Sequence, residues 1–424
     1  MGTKKMRRFD FASVFLSDLG FVKNFSIIEK EGKIKDVLPT VMAKSNYIIP
    51  EVLEYTEQVA LPGFIDAHSH FPDIGLINEY WINLTWENKL KYSIIDVIIQ
   101  LKKMEKTRRF KNWIIAYGIQ FHEIKEKRLP IRNELDVVSS FLPVVVFDKT
   151  MHFASLNTIA MKKCGIKALE LYPDLVNFDK GLLCEQAVTV VENIMPTFSY
   201  EEYLQGLLIA QEIYLTNGFT TVQVGALSNL TYWHYLPRAI ETGKLVVRVV
   251  VWPTLSIFKE IEDYPINLEI KDRLFIGPVK LFSDGEFQLG TASTNYPYFG
   301  CRKCRNEPLL LSEVKIHIRE LASNYDLAIH AHGDLAINTV LNEIYCCHRA
   351  QDFISERRHQ LVHATLLNTK ILDTRYKNLV TPTYLISTLK YWDDEFIQLI
   401  FGDKHNDIFR VADSYKFGIP FSLH

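Results

Sequence analysis

The chain has 424 residues, 48% of them apolar, and a formal net charge of -2. That is enough apolar material for one large domain with insertions, or for two ordinary ones. The near-neutral balance argues against nucleic acid as a partner, because phosphate binding shows as a basic excess or stripe, and no apolar run reaches the roughly 18 residues a membrane helix needs.

The N-terminal segment "FDFASVFLSDLGF" is interrupted by Asp10, Ser13, Ser17 and Asp18 where the core of a secretory signal is unbroken. Met6 occupies the position where an N-myristoylation motif requires Ser or Thr. A cytoplasmic location is expected. "SVFLS" and "FSIIEKEGKIKDVLP" read as short strands, and residues 1–62 are expected to form the N-terminal part of a small β-sandwich module, incomplete in this chain.

From Leu61 onward eight brief apolar or β-branched runs recur: "LPGFIDAH", "FTTVQVG", "VRVVVW", "GPVKLF", "LAIHAHG", "HQLVHA", "LVTPTY" and "PFSLH". Helical patterns separate most of them. Ser199 and Glu202 make a capping box for a helix closed by Gly218, and Ser312 is placed to cap a helix with Val314, Ile318, Leu321 and Ala322 on one face. Apolar strands alternating with helices predict an α/β fold, a (β/α)8 TIM-type barrel over residues 63–424. Between the first two runs lies a stretch too long for a βα loop. With strands of its own in "NWIIAYG" and "PVVVFD", it is expected to form an insertion subdomain at about 75–205.

Barrel enzymes carry their chemistry at the C-terminal ends of the strands. The polar side chains there are His68 and His70 in "LPGFIDAHSHF", Lys280 in "GPVKLF", His330 and His332 in "AIHAHGD", and His363 in "QLVHA". Strand alternation puts His68 and His70 on one side, where two imidazoles can share a cation. Singly, a strand-end histidine is an ordinary core residue and a strand-end lysine an ordinary snorkelling one. The recurrence at one end of successive strands points to a metal centre. Neutral imidazoles suit one or two divalent ions, zinc above all, without excluding iron or manganese. A desolvated lysine has a lowered pKa, and its neutral amine can take up carbon dioxide to give an anionic carbamate able to bridge two ions.

"LPGFIDAHSH", "GPVKLFSDGEFQLGTA", "AIHAHGDLAI" and "RRHQLVHA" together resemble the metal-dependent amidohydrolase superfamily, and within it the family 3 branch that contains N-substituted formamide deformylase. "NWIIAYGIQF", "MHFASLN" and "GLLCEQA" in the insertion resemble the same branch. The resemblance runs from about Ile27 to His424. It implies that His68 and His70 bind one metal, that His330 and His363 bind a second, and that carbamylated Lys280 bridges them. His332 shares a face with His330 and stays open as a competing ligand. His152, Asn157 and Asp284 are expected in the substrate pocket. The implied reaction is hydrolysis of a carbon–nitrogen bond in a small, non-peptide amide by a metal-activated water.

In that branch an aspartate at the end of strand eight carries the proton to the leaving amine. "KFGIPFSLH" stops at His424 without it, so truncation is expected, with Asp284 the first alternative proton carrier. A second reading is therefore a catalytically inactive fragment that still binds metal. A third makes Lys280 a Schiff-base nucleophile of an isomerase or aldolase barrel. Expected partners are a small-molecule amide and, as an open option, further copies of the chain. The six cysteines are read as isolated thiols; "CRKC" (Cys301 to Cys304) with "YCCH" (Cys346, Cys347, His348) is a weak alternative zinc site.

Overall fold

The computed structural model describes residues 6–424, apart from 86–91, 121–122, 263–269, 271, 299–307, 350–356, 370–371, 373–375, 391 and 393. The chain divides into two compact units, Met1–Phe64 and Ile65–His424. In the first, β1 (Met6–Leu16), β2 (Gly20–Lys30), β3 (Lys33–Pro39) and β4 (Glu51–Ala60) form one sheet in the order β3-β2-β1-β4. The apolar alternation of "FSIIEKEGKIKDVLP" is two strands folded back on each other. Glu31 and Gly32 between them both have positive φ, 54° and 78°, as a two-residue hairpin turn of the I′ kind requires. Ile28, Leu38, Ala43 and Ile49 form the core, with the helix Thr40–Asn46 contributing Ala43. Among the described residues this unit is therefore one sheet and one helix. The helix supplies part of the apolar cover of that sheet through Ala43.

The boundary falls within the two-residue strand β5 (Phe64–Ile65), after which the second unit departs into the insertion. There β6 (Ile82–Asn83), β7 (Ile114–Ile119), β8 (Val144–Asp148), β9 (Phe153–Leu156), β10 (Val176–Asn177) and β11 (Leu182–Cys184) make a six-stranded sheet in the order β10-β11-β9-β8-β7-β6. All five residues of "VVVFD" in β8 are buried, which is why the run is apolar on both faces.

After the insertion the chain alternates strands with helices through β12 (Phe219–Leu227), β13 (Arg248–Pro253), β14 (Leu274–Ile276), β15 (Val279–Phe282), β16 (Leu327–Ala331), β17 (His359–His363), β18 (Val380–Tyr384) and β19 (Ser422–Leu423). They lie in two arcs, β14-β13-β12-β5 and β15-β16-β17-β18-β19, the pairs β12/β13, β13/β14 and all those of the second arc being parallel. A parallel bridge between Thr254 and Lys280 links the arcs. The expected fourth run, "GPVKLF", supplies β15, and a short strand not expected, β14, precedes it; Gly277 and Pro278 separate the two, where Pro278 has no N–H to continue the ladder.

The helix Tyr200–Thr216 starts at the expected capping box: Ser199 Oγ accepts from Glu202 N at 3.3 Å, and Glu202 Oε2 accepts from Ser199 N at 2.7 Å. The helix expected to start at Ser312 instead runs Pro308–Leu321, so Ser312 lies inside it. A proline in the first turn forfeits only an N–H that would have had no partner, and so competes well with a serine cap. Val314, Ile318 and Ala322 are buried as expected. Among the described residues no helix is long and apolar enough to cross a membrane.

Candidate metal centre

The two arcs bring the expected histidines together at one end. His68 and His70 have ring centres 5.2 Å apart, His68 and His363 5.4 Å, His330 and His332 4.9 Å, and His330 and His363 4.6 Å. The local warrant for His68 and His70 differs from the one expected. β5 ends at Ile65, so neither histidine is placed by strand alternation. The chain bends after Ile65 and is tied to β12 by Asp66 N–H to Thr221 O at 3.0 Å, Gly225 N–H to Ser69 O at 2.8 Å and Phe71 N–H to Gln223 O at 3.0 Å. Gly225 is needed for that approach: a Cβ there would overlap the Ser69 carbonyl and the His68 ring. Trp252 then stacks on His68 with ring centres 4.9 Å apart.

His363 ends β17 with φ at 72°, followed by Ala364 at 48°. Two consecutive non-glycine residues in the left-handed region are strained, and such strain is held where the surroundings over-determine a functional geometry. The twist aims the His363 ring at the others.

Lys280 is 2% exposed, and burial pushes its pKa down to about 7, so a neutral amine is accessible near neutrality. Burial likewise pushes His68, His330 and His363 well below the usual histidine value, leaving neutral imidazoles, the form that binds metal. Both ring nitrogens of His68 and Nδ1 of His363 are buried with no hydrogen-bond partner among the described residues. Buried polar atoms are normally satisfied, so these open nitrogens fit a cation.

Among the described residues, His330, His332 and His363 offer ligand atoms all within 4.8 Å of one another. His332, however, has both nitrogens engaged: Nδ1 with Thr365 Oγ1 at 2.7 Å and Nε2 with Glu286 Oε1 at 3.0 Å. His330 Nε2 has the Gly285 carbonyl at 3.3 Å and, farther off, the Asp284 carboxylate at 3.8 Å. Hydrogen bonding thus favours His330 over His332 as the ligand.

Asp284 does not line an open pocket. Its carboxylate accepts from three backbone N–H groups, His332 at 3.0 Å, Gly333 at 2.8 Å and Ser293 at 3.1 Å, and lies 3.8 Å from His330 Nε2. Burial raises its pKa to about 7. It is a clasp between the loop after β15 and the end of β16.

His152 does face the site, its ring 5.5 Å from that of His330. Burial opposes its charge, but the Glu185 carboxylate at 2.7 Å and the nearby Glu286 and Asp148 raise its pKa to about 10. Asn157 was expected beside it and is not there. Asn157 caps the helix Thr158–Cys164, accepting from Ala160 N at 2.9 Å and Val144 N at 3.0 Å and donating to Ser139 O and Leu142 O, both at 2.9 Å. That leaves nothing for a substrate.

Three further residues at the site were not singled out from sequence. Glu185, at the start of a 3-10 turn after β11, and Glu286, on the loop after β15, are buried carboxylates, and His424 follows β19 with its ring 5.0 Å from His68. Of the cysteine-based alternative, "CRKC" lies outside the described residues. In "YCCH" the cysteines are free, and His348 Nε2 instead meets His359 Nε2 at 3.0 Å.

The sequence profile of the amidohydrolase family matches residues 56–381. N-substituted formamide deformylase of Arthrobacter pascens is 24% identical over 406 residues, covering 88% of this chain and 71% of that protein. Exoenzymes regulatory protein AepA of Pectobacterium carotovorum subsp. carotovorum is 24% identical over 313 residues, 69% of this chain and 66% of its own length. The chain thus spans about two thirds of the length of these relatives. A crystal structure of an uncharacterized metal-dependent hydrolase from Pyrococcus horikoshii OT3 superimposes with a TM-score of 0.73 at 22% identity, covering 99% of this chain and 82% of that one. That likeness concerns the fold.

Proposed function

The chain belongs to the amidohydrolase family, and from that premise we propose that it is a metal-dependent hydrolase of carbon–nitrogen bonds in small, non-peptide amides, built on a (β/α)8 barrel. The observation that carries the reading is the convergence of His68, His70, His330 and His363, two of them (His68 and His363) with buried nitrogens unpartnered among the described residues, near a buried lysine whose pKa is lowered to about 7. We take these five side chains as the holders of one or two divalent ions, zinc first. Bound there, the ions would supply a water of lowered pKa and polarise the scissile carbonyl.

The chain's own residues then have separable tasks. Lys280, with an unprotonated fraction near neutral pH, is the group that would accept carbon dioxide and become an anionic ligand. Asp284 fixes the backbone at His332 and Gly333 and so the direction of His330. His152 is held protonated beside Glu185 and can donate a hydrogen bond to a substrate oxygen. Glu286 keeps its negative charge against burial through His332 and can accept from a substrate N–H.

The test is hydrolysis of a panel of N-substituted formamides and simple amides by zinc-loaded protein. We expect turnover that is lost on chelation and restored by zinc. A His330→Ala variant should lose at least a hundredfold in kcat/KM. If the panel is turned over equally well by chelated protein, the metal-dependent reading is wrong.

A further inference from the structure

Three imidazoles at the site form a triangle that cuts across the ligand pairs expected from sequence. The ring centres of His68 and His424 are 5.0 Å apart, those of His363 and His424 5.1 Å, and those of His68 and His363 5.4 Å. An imidazole nitrogen ~2.0–2.1 Å from a divalent ion puts the ring centre about 3.2 Å from the ion, and two such rings at a tetrahedral angle stand about 5.2 Å apart. The triangle has the spacing of three rings around one cation.

The polar accounting agrees. Each ring has a buried nitrogen with no hydrogen-bond partner among the described residues: Nδ1 and Nε2 of His68, Nδ1 of His363 and Nε2 of His424. His332 beside them has none left. The position of His424 is fixed by backbone and does not depend on its ring. β19 pairs in parallel with β18, the His424 N–H donates to Tyr384 O at 3.0 Å, and its carbonyl accepts from Ser387 N at 3.3 Å. A ring placed by its backbone, with an unsatisfied nitrogen inside a cluster of others, is poised for a ligand. The set whose nitrogens already lie within 4.8 Å is His330, His332 and His363. The His68–His363–His424 triangle closes by rotating rings about their terminal side-chain torsions, which are broad and easily turned.

We infer that His424 is a metal ligand, sharing one divalent ion with His68 and His363 and adding a sixth side chain to the five named above. The inference rests on the metal-dependent reading and extends it. The alternative is that His424 only packs against its neighbours.

The test uses cobalt(II) on the full chain stripped of metal, with affinity and visible absorption as readouts. Wild-type protein should bind cobalt. His424→Ala should weaken binding at least tenfold and shift the absorption bands, as should His68→Ala, while His405→Ala at an exposed position should do neither. His424→Cys supplies the direct probe: a thiolate at that position should give a new thiolate-to-cobalt charge-transfer band absent from the wild type, a signal that packing alone does not produce. If His424→Ala fails to fold, the cysteine variant decides. Wild-type-like affinity and spectrum in His424→Ala, or a cysteine variant without the new band, overturns the His424 assignment alone. Failure of the wild type to take up cobalt or zinc overturns the metal reading with it.

Discussion

His152 shows how a single ion pair carries a pH signature. Its folded pKa is raised to about 10 while the unfolded chain titrates near 6.5, so its pairing with Glu185 contributes stability fully below pH 6.5 and loses it as pH rises through 10. Thermal melts of wild type and Glu185→Gln should therefore differ most near pH 6 and converge by pH 10.5; a gap constant with pH would assign the loss to packing. The same scale explains which site residues the sequence reveals. His68, His70, Lys280, His330 and His363 stand out because a polar side chain closing an apolar run is conspicuous. Glu185 opens a single 3-10 turn and Glu286 lies in a loop, and neither place carries a periodic signal. Asn157 misleads because asparagine serves equally as a ligand-binding amide and as a helix cap, and only its four backbone partners decide between them.

Between elements, close approach decides. Gly225 in β12 admits the bend that carries His68, so Gly225→Ala should cost about 1–3 kcal/mol in urea unfolding, since a methyl forced into a filled site displaces backbone. A second contact joins the helix Asp334–Arg349 to the start of β17. His359 accepts the Leu327 N–H at Nδ1 and meets His348 through Nε2. Burial and His348 push its pKa down to about 3, so it is neutral when folded, whereas the unfolded chain takes up a proton near 6.5. Its share of stability is present above pH 6.5 and is lost as pH falls toward 3. His359→Gln keeps an acceptor without that titration, and its melting temperature should fall less steeply from pH 6.5 to 4 than that of the wild type. Strand runs such as "VVVFD" and "LAIHAHG" are legible because burial on both faces demands apolar residues. β5 falls inside the run "LPGFIDAH", but where it ends is not legible, because the histidines after it depend on ties to β12, more than 150 residues away.

Across the whole molecule, a cation bound only by the folded chain must stabilise it. Zinc at one hundred times its Kd should add about 2.7 kcal/mol to unfolding, read as a rise in melting temperature. A His68→Ala/His70→Ala double variant should show no such rise and no retained metal by elemental analysis; full metal content in that variant would rule out the site as drawn. The alternation of strands and helices is legible from sequence because each parallel strand needs a helix over it. The order of the insertion's sheet is not, because it depends on which partner each edge finds.

The left-handed pair at His363 and Ala364 carries one more consequence. The aim of that ring is set by a wound backbone, so the site behaves like a spring clip: its grip and its tension are the same feature. Ala364→Gly would let the tension go. It should raise the folded protein's stability by roughly 1 kcal/mol, since glycine tolerates that φ without penalty, yet loosen cobalt binding. A melt that rises while cobalt affinity falls would show that the wound backbone serves the ring's aim; a variant unchanged in both would show that it does not.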